Sequence, residues 1–195
     1  SCNGVLYLPQ QTELEVSRED FVAALTNVAS CIIKPSKDSS AGIGVAPFDS
    51  CNGKMADGET VQDFLKKYGK NYVIEKRIEE CDNLKKLNPS SCNSLRIHTW
   101  RNELLERVEF VSAYVRIGRE GKVIDNASSG GITCRVMENG QLSSNACTVK
   151  HYELIEKTDS GEFLSGYQIE KFDQMVDTAI RAHSRIPYFG IIGWD

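Results

Sequence analysis

"CIIKPSKDSSAGIGV" runs from Cys31 to Val45. A short apolar run, Cys31-Ile32-Ile33, meets Lys34 and Pro35. Ser36, Asp38, Ser39 and Ser40 follow, then Gly42 and Gly44 inside a second apolar run. The pattern reads as a strand (Ser30 to Lys34), a polar loop and a return strand (Ile43 to Phe48). Glycine admits positive φ, so a loop of glycines and hydroxyls lets backbone N–H groups converge on an anion. A lysine at the strand end adds a point charge. The stretch reads equally well as a phosphate cradle or as a polar hairpin with no ligand. It is not a Walker loop, because G-x-x-x-x-G-K-[ST] is absent and the lysine precedes the glycines.

Outward from the hairpin, Ser17-Arg18-Glu19-Asp20 has the form of a helix start, a hydroxyl cap with an acid three residues on. Phe21, Leu25 and Val28 continue it at helical spacing. Thr60-Val61-Gln62-Asp63 opens a second helix that Gly69 ends. "NYVIEKRIEE" (Asn71 to Glu80) begins as a β-branched, aromatic strand and turns polar. "NPSSCNSLRIHTW" (Asn88 to Trp100) passes from turn chemistry into a strand. Glu109 to Ile117 reads as a strand, "REGK" as a tight turn, and Val123 to Asn126 as its continuation. Gly131 to Met137 and Leu142 to Val149 flank "ENGQ", a hairpin signal. Ile169, Phe172, Met175, Val176, Ala179, Ile180 and His183 form a helical stripe, on which His183 reads as core or surface rather than as a ligand. "YFGIIGWD" closes as an apolar strand ending on Asp195. The expected class is α+β: mostly antiparallel strands with helices packed on one side.

The totals narrow the function. The chain has 195 residues, 41% hydrophobic, with 26% charged and a net charge of -4. That suffices for one packed domain or two small lobes. No basic excess points to nucleic acid or an anionic membrane surface. No apolar run approaches the ~20 residues that span a bilayer, and the N-terminus does not read as a signal peptide. Seven cysteines without a C-x-x-C pair, and three scattered histidines, argue against zinc and suit a reducing cytoplasm.

Three further stretches bear chemistry. In "VIEKRIEECD", a strand leaving the core with Glu75, Ile78 and Asp82 can offer backbone groups to a flat heterocycle and an acid to ribose hydroxyls. Arg96 and Arg116 each sit inside an apolar strand pattern, beside Asn93, Asp125 and Asn126. A half-buried arginine needs an anionic partner, either a protein carboxylate such as Asp125 or a ligand phosphate or carboxylate. Asp195, at the end of an apolar strand, is a residue type that holds Mg2+ against phosphate oxygens.

Taken in this order, these stretches resemble the ATP-grasp superfamily. "IIKPSKDSSAGIGV" is similar to the lysine-bearing strand and phosphate lid of D-alanine–D-alanine ligases, and "YVIEKRIEECD" to an adenine hinge followed by a ribose-binding acid. "LNPSSCNSLRIHT", "VRIGREGKVIDNASSGGI" and "IGWD" resemble patterns of the sugar-transfer-associated ATP-grasp family. The similarity extends from about Cys31 to the end.

The resemblance implies that Lys34 contacts the ATP phosphates, with Ser36, Ser39, Ser40 and Gly42 in the loop that closes over them. It implies that Glu75 and Ile78 meet adenine through their backbone, and that Asp82 (or Glu80) takes the ribose. Asp195 becomes a Mg2+ ligand, and Arg96, Arg116 and Asn126 line the phosphate and acceptor side. Family members carry a Glu-x-Asn strand beyond the tryptophan–aspartate strand, and an N-terminal lobe with another phosphate-binding lysine. The sequence therefore reads as incomplete at both ends: a remnant over 1–30, a lid subdomain over 31–80 and part of a catalytic sheet over 81–195. The implied activity is an ATP- and Mg2+-dependent carboxylate–amine (or –thiol) ligase acting through an acyl phosphate, on a small carboxylate or sugar-linked substrate, in the cytoplasm of a bacterium making surface polysaccharide. A nucleotide-binding module without turnover, or a plain interaction domain, is the alternative.

Overall fold

The computed structural model describes residues 4–7, 13–38, 42–119, 121, 125, 130–148 and 151–195, with side chains from Val16 onward. It divides into two compact units, Ser1–Arg77 and Ile78–Asp195. Among the described residues, every strand pairing is antiparallel.

In the first unit, β1 (Gly4–Tyr7) pairs with β2 (Glu13–Val16). Helix α1 (Arg18–Ala24) starts where expected: the Ser17 hydroxyl accepts the Asp20 N–H at 3.1 Å. It ends earlier than its periodicity predicts, because Val28 is the first residue of β3 (Val28–Pro35) and donates its N–H to Ser50. Tertiary pairing here overrides local spacing. β4 (Ala46–Cys51) begins three residues beyond Ile43, since Gly42 and Gly44 have φ of 75° and 80°, outside the strand region. β5 (Lys54–Met55), α2 (Val61–Tyr68) and β6 (Tyr72–Lys76) complete the unit, with sheet order β5-β4-β3-β6. Thr60 caps α2 and Gly69 ends it. Ile33, Phe48, Val61 and Leu65 form the core, with Phe64 edge-on to Phe48 at 5.6 Å.

The second unit opens with the single turn α3 (Asp82–Lys85). β7 (Ser94–Asn102), β8 (Arg107–Ile117), β9 (Ile132–Val136), β10 (Leu142–Thr148) and β11 (Leu154–Ile155) form a meander. Helix α4 (Phe172–Ser184) then crosses β7 and β8, and β12 (Ile191–Trp194) joins the edge beside β7. The order is β11-β10-β9-β8-β7-β12. One sheet face is buried under α4: Ile97, Ala113, Val115 and Val136 pack with Phe172 and Ala179, and Phe110 meets Phe172 edge-on at 6.0 Å. The stripe expected from Ile169 to His183 is this packed face, with Ile169 just ahead of the helix. Most of the "REGK" turn and its continuation to Asn126 lies outside the described residues. Among the described residues, no helix is long and apolar enough to cross a membrane.

Candidate functional site

Strand alternation decides what Lys34 faces. Ile33 is fully buried, so Ile32 and Lys34 point to the opposite, open face of the small sheet. On neighbouring β6, Glu75 lies opposite Ile32 and Val73 opposite Lys34. Ile32, Lys34, Val73 and Glu75 therefore share that face. The Lys34 ammonium is ion-paired with Glu75, both side chains about two-fifths exposed (40% and 42%). The backbone of Glu75 is committed elsewhere. The Arg77 N–H bonds to Ser30 and the Ser36 N–H to Asn71, at 2.6 and 2.7 Å. Antiparallel pairs alternate, so Glu75 and Val73 also turn their peptide groups toward β3. Those of Ile74 and Lys76 point out from the sheet edge.

The loop after Lys34 is braced. The Tyr68 hydroxyl of α2 donates to the Gly44 carbonyl, and the Val45 N–H reaches Gly42 at 3.2 Å. A Cβ at Gly44 would lie 2.7 Å from the Pro35 ring, so only glycine fits there. Ser36 is exposed at the loop's start. Ser39 and Ser40 lie outside the described residues.

In the second unit, Ser94, Arg96, His98 and Trp100 alternate onto the sheet face that turns away from α4. Arg116 lies opposite Ser94, and Asp195 follows Trp194, which pairs with Ile97. This register brings two guanidinium groups onto one carboxylate. Arg96 grips Asp195 through Nε (2.7 Å to Oδ1) and Nη2, and Arg116 Nη2 donates to the same Oδ1 at 3.0 Å. The hydrogen bond from Arg96 holds the Asp195 carboxyl below its ordinary range, with both arginine charges adding to it. Arg116 also donates to Ser94 Oγ at 2.7 and 2.9 Å. Ser94 in turn donates its hydroxyl and its N–H to the buried Asp125. Asn126 lies outside the described residues.

The site is held by a buried polar chain. Trp194 Nε1 donates to Thr99 Oγ1 at 2.9 Å, and Thr99 lies 2.7 Å from His183 Nδ1. His183 Nε2 donates to the Phe189 carbonyl at 2.9 Å. The carbonyl can only accept, so Nε2 carries the proton and Nδ1 accepts from Thr99. His183, fully buried, is thus a structural residue that ties the strand presenting Asp195 to α4.

Asn93 is structural too. It is 2% exposed and uses both side-chain polar atoms and its N–H: its side chain meets Leu84, Asn88, Ser91 and Gly118, and its N–H reaches Glu80 at 2.9 Å. Burial pushes the Glu80 carboxyl above its ordinary range. Asp82, in α3, is exposed, and Ile78 is 76% exposed.

These residues do not fit a Mg2+ site as they stand. Both oxygens of Asp195 already accept from guanidinium groups, whose charge repels a cation. Among the described residues, no cluster of three His, Cys, Asp or Glu could hold a metal.

Sequence reasoning named Lys34, Arg96, Arg116 and Asp195, and the structure brings the last three together. It missed Tyr68, which only tertiary packing brings to the loop, and Ile32 and Val73, whose alternation with buried Ile33 was the available signal.

A family model described as sugar-transfer associated ATP-grasp matches residues 6–195, nearly the whole chain and 25 residues further upstream than Cys31. No curated protein and no solved structure matches the chain.

Proposed function

This chain belongs to the sugar-transfer associated ATP-grasp family, and on that premise we propose that it is the ATP-binding ligase module of a carboxylate–amine (or –thiol) ligase serving glycan biosynthesis. Family membership itself implies ATP-dependent, ligase-like activity.

In the first unit, Lys34 exchanges Glu75 for a nucleotide phosphate; the exposed ion pair holds it by no more than about 1 kcal/mol. Ser36 and the Gly42–Gly44 loop close over that phosphate, with Ser39 and Ser40 in the same loop. Ile32 and Val73 supply an apolar bed for adenine, and the outward edge of β6 at Ile74 supplies hydrogen-bonding groups. Asp82 takes the ribose. In the second unit, Arg96 and Arg116 receive the substrate carboxylate, with Asp195 positioning the guanidinium groups. A carboxylate oxygen attacks the γ-phosphorus and ADP leaves. The amine then attacks the acyl phosphate carbon, phosphate leaves with the bonding pair, and the amine loses a proton to solvent. The chemistry rests on positioning and charge neutralisation, so no covalent nucleophile is required.

The observation that carries this reading is the convergence of Arg96 and Arg116 on one carboxylate, the donor geometry a carboxylate or phosphoryl oxygen needs. That Asp195 fills this site favours a second reading, nucleotide binding without turnover. A thermal shift with ATP tests the shared premise: ATP at 100-fold over its Kd adds about 2.7 kcal/mol of stability. ADP release on adding a carboxylate and an amine selects the ligase, and absence of a shift rejects both readings.

A further inference from the structure

The open face of the six-stranded sheet carries side chains beyond the arginine–carboxylate cluster that lie outside the buried core. Antiparallel register arranges them in rows. Asp195, Arg96, Tyr114 and Arg135 form one row; Gly193, His98 and Ser112 the next; Ile191, Trp100 and Glu109 the third. Along β7, Arg96 to Trp100 spans about 13 Å at ~3.3 Å per residue.

The rows differ in chemistry. Arg135 is exposed and has no ion-pair partner among the described residues, whereas Arg96 and Arg116 share Asp195. In the middle row, His98 Nδ1 lies 3.1 Å from Ser112 Oγ, and the His98 ring is tilted against Tyr114 at 5.6 Å. Gly193 lets these side chains lean close over β12: a Cβ on it would come within 3.3 Å of both Arg96 and His98. In the third row, the Trp100 indole is 41% exposed beside Ile191 at 65%. Glu109 is held by Arg107 and Asn102, so it does not offset the guanidinium charge at the other end.

The geometry points to this face as the subsite for a uronate-bearing saccharide. Its carboxylate lies in the arginine row beside Tyr114, its hydroxyls meet His98 and Ser112 in the middle row, and the adjoining sugar stacks its C–H face on Trp100. An indole presents the flat apolar surface that such a face needs, the polar row matches hydroxyls, and the guanidinium excess complements the acid. The inference rests on the ligase reading, in which this carboxylate is the group activated.

Calorimetric titration of the chain with trigalacturonate tests it, beside an ATP thermal shift on the same samples. Saturable binding is expected, weakened at least tenfold in Arg135→Ala and in Trp100→Leu, which keeps an apolar neighbour for Ile191 but no indole. Maltotriose, uncharged, and triglutamate, acidic without a sugar ring, should bind at least tenfold more weakly. Equal binding of either control, or unchanged affinity in both variants, overturns the assignment. Failure to bind trigalacturonate while ATP still raises the melting temperature overturns the saccharide subsite alone. Failure of both overturns it together with the ligase reading.

Discussion

Trp194 and Thr99 are joined across the edge of the large sheet by an indole N–H that ends on a threonine hydroxyl at 2.9 Å. That hydroxyl has one proton, and His183 takes it, so the three side chains are satisfied only as a set. Thr99→Val keeps the shape and removes both bonds, leaving Trp194 Nε1 and His183 Nδ1 without this partner. It should cost about 1–3 kcal/mol in urea unfolding, the penalty for stranding buried polar groups. Thr99→Ser should recover most of this. Equal stability of Thr99→Val and the parent would show that the chain does not anchor β12.

Lys34 carries a different kind of prediction, because its ion pair with Glu75 is largely solvated. Lys34→Ala should change unfolding free energy by less than about 1 kcal/mol. The same variant should weaken ATP at least tenfold by calorimetry, since the charge lost is the one proposed to meet phosphate. A folded Lys34→Ala that keeps the parent's ATP affinity would reverse the assignment, and one that unfolds would make Lys34 a structural residue.

How much of this was legible depends on which interactions set each element. The hairpin, the capped helices and the α4 stripe follow from local signals: Ser17 and Thr60 cap as read, and Ile169, Phe172 and Ala179 face the sheet. Val28 was misread because helical spacing and a strand start look alike over eight residues, and only pairing with β4 decides. The arginine cluster was half legible. Polar residues in apolar strands announced that Arg96 and Arg116 need an anion, but both bind Asp195, which lies 99 and 79 residues further along the chain. No local pattern encodes that meeting; it follows from β12 joining the sheet edge after α4. Tyr68 was illegible for the same reason, as its contact with Gly44 spans two elements.

Asp195 fixes a pH dependence with a definite sign. Its carboxyl is held below the ordinary aspartate value of 3.8, chiefly by Arg96. Its stabilising contribution is therefore complete above that value and is lost as pH falls through the depressed one. Urea midpoints measured from pH 5 down to pH 2 should fall less steeply in Asp195→Asn than in the parent. At pH 7 Asp195→Asn should also leave Arg96 without its carboxylate while Arg116 keeps Ser94 and Asp125, strengthening binding of a small carboxylate such as acetate at this face. Parallel pH profiles in the two proteins would rule out an ionic role for Asp195.

Glu80 should behave with the opposite sign. Burial raises its carboxyl above the ordinary 4.5, while its link to Asn93 opposes the shift. The stability it contributes is present below 4.5 and declines as pH rises through the raised value. Glu80→Gln keeps an oxygen for the Asn93 N–H and removes the buried charge, so it should hold or raise the urea midpoint at pH 7. Glu80 and Asp82 differ as candidates for the ribose contact. Glu80 already spends an oxygen on Asn93, whereas Asp82 stands exposed in α3. Asp82→Asn should therefore weaken ATP several-fold and leave inorganic triphosphate unaffected, with Glu80→Gln changing neither. The reverse pattern would transfer the ribose contact to Glu80 and require Asn93 to give up its bond when nucleotide binds.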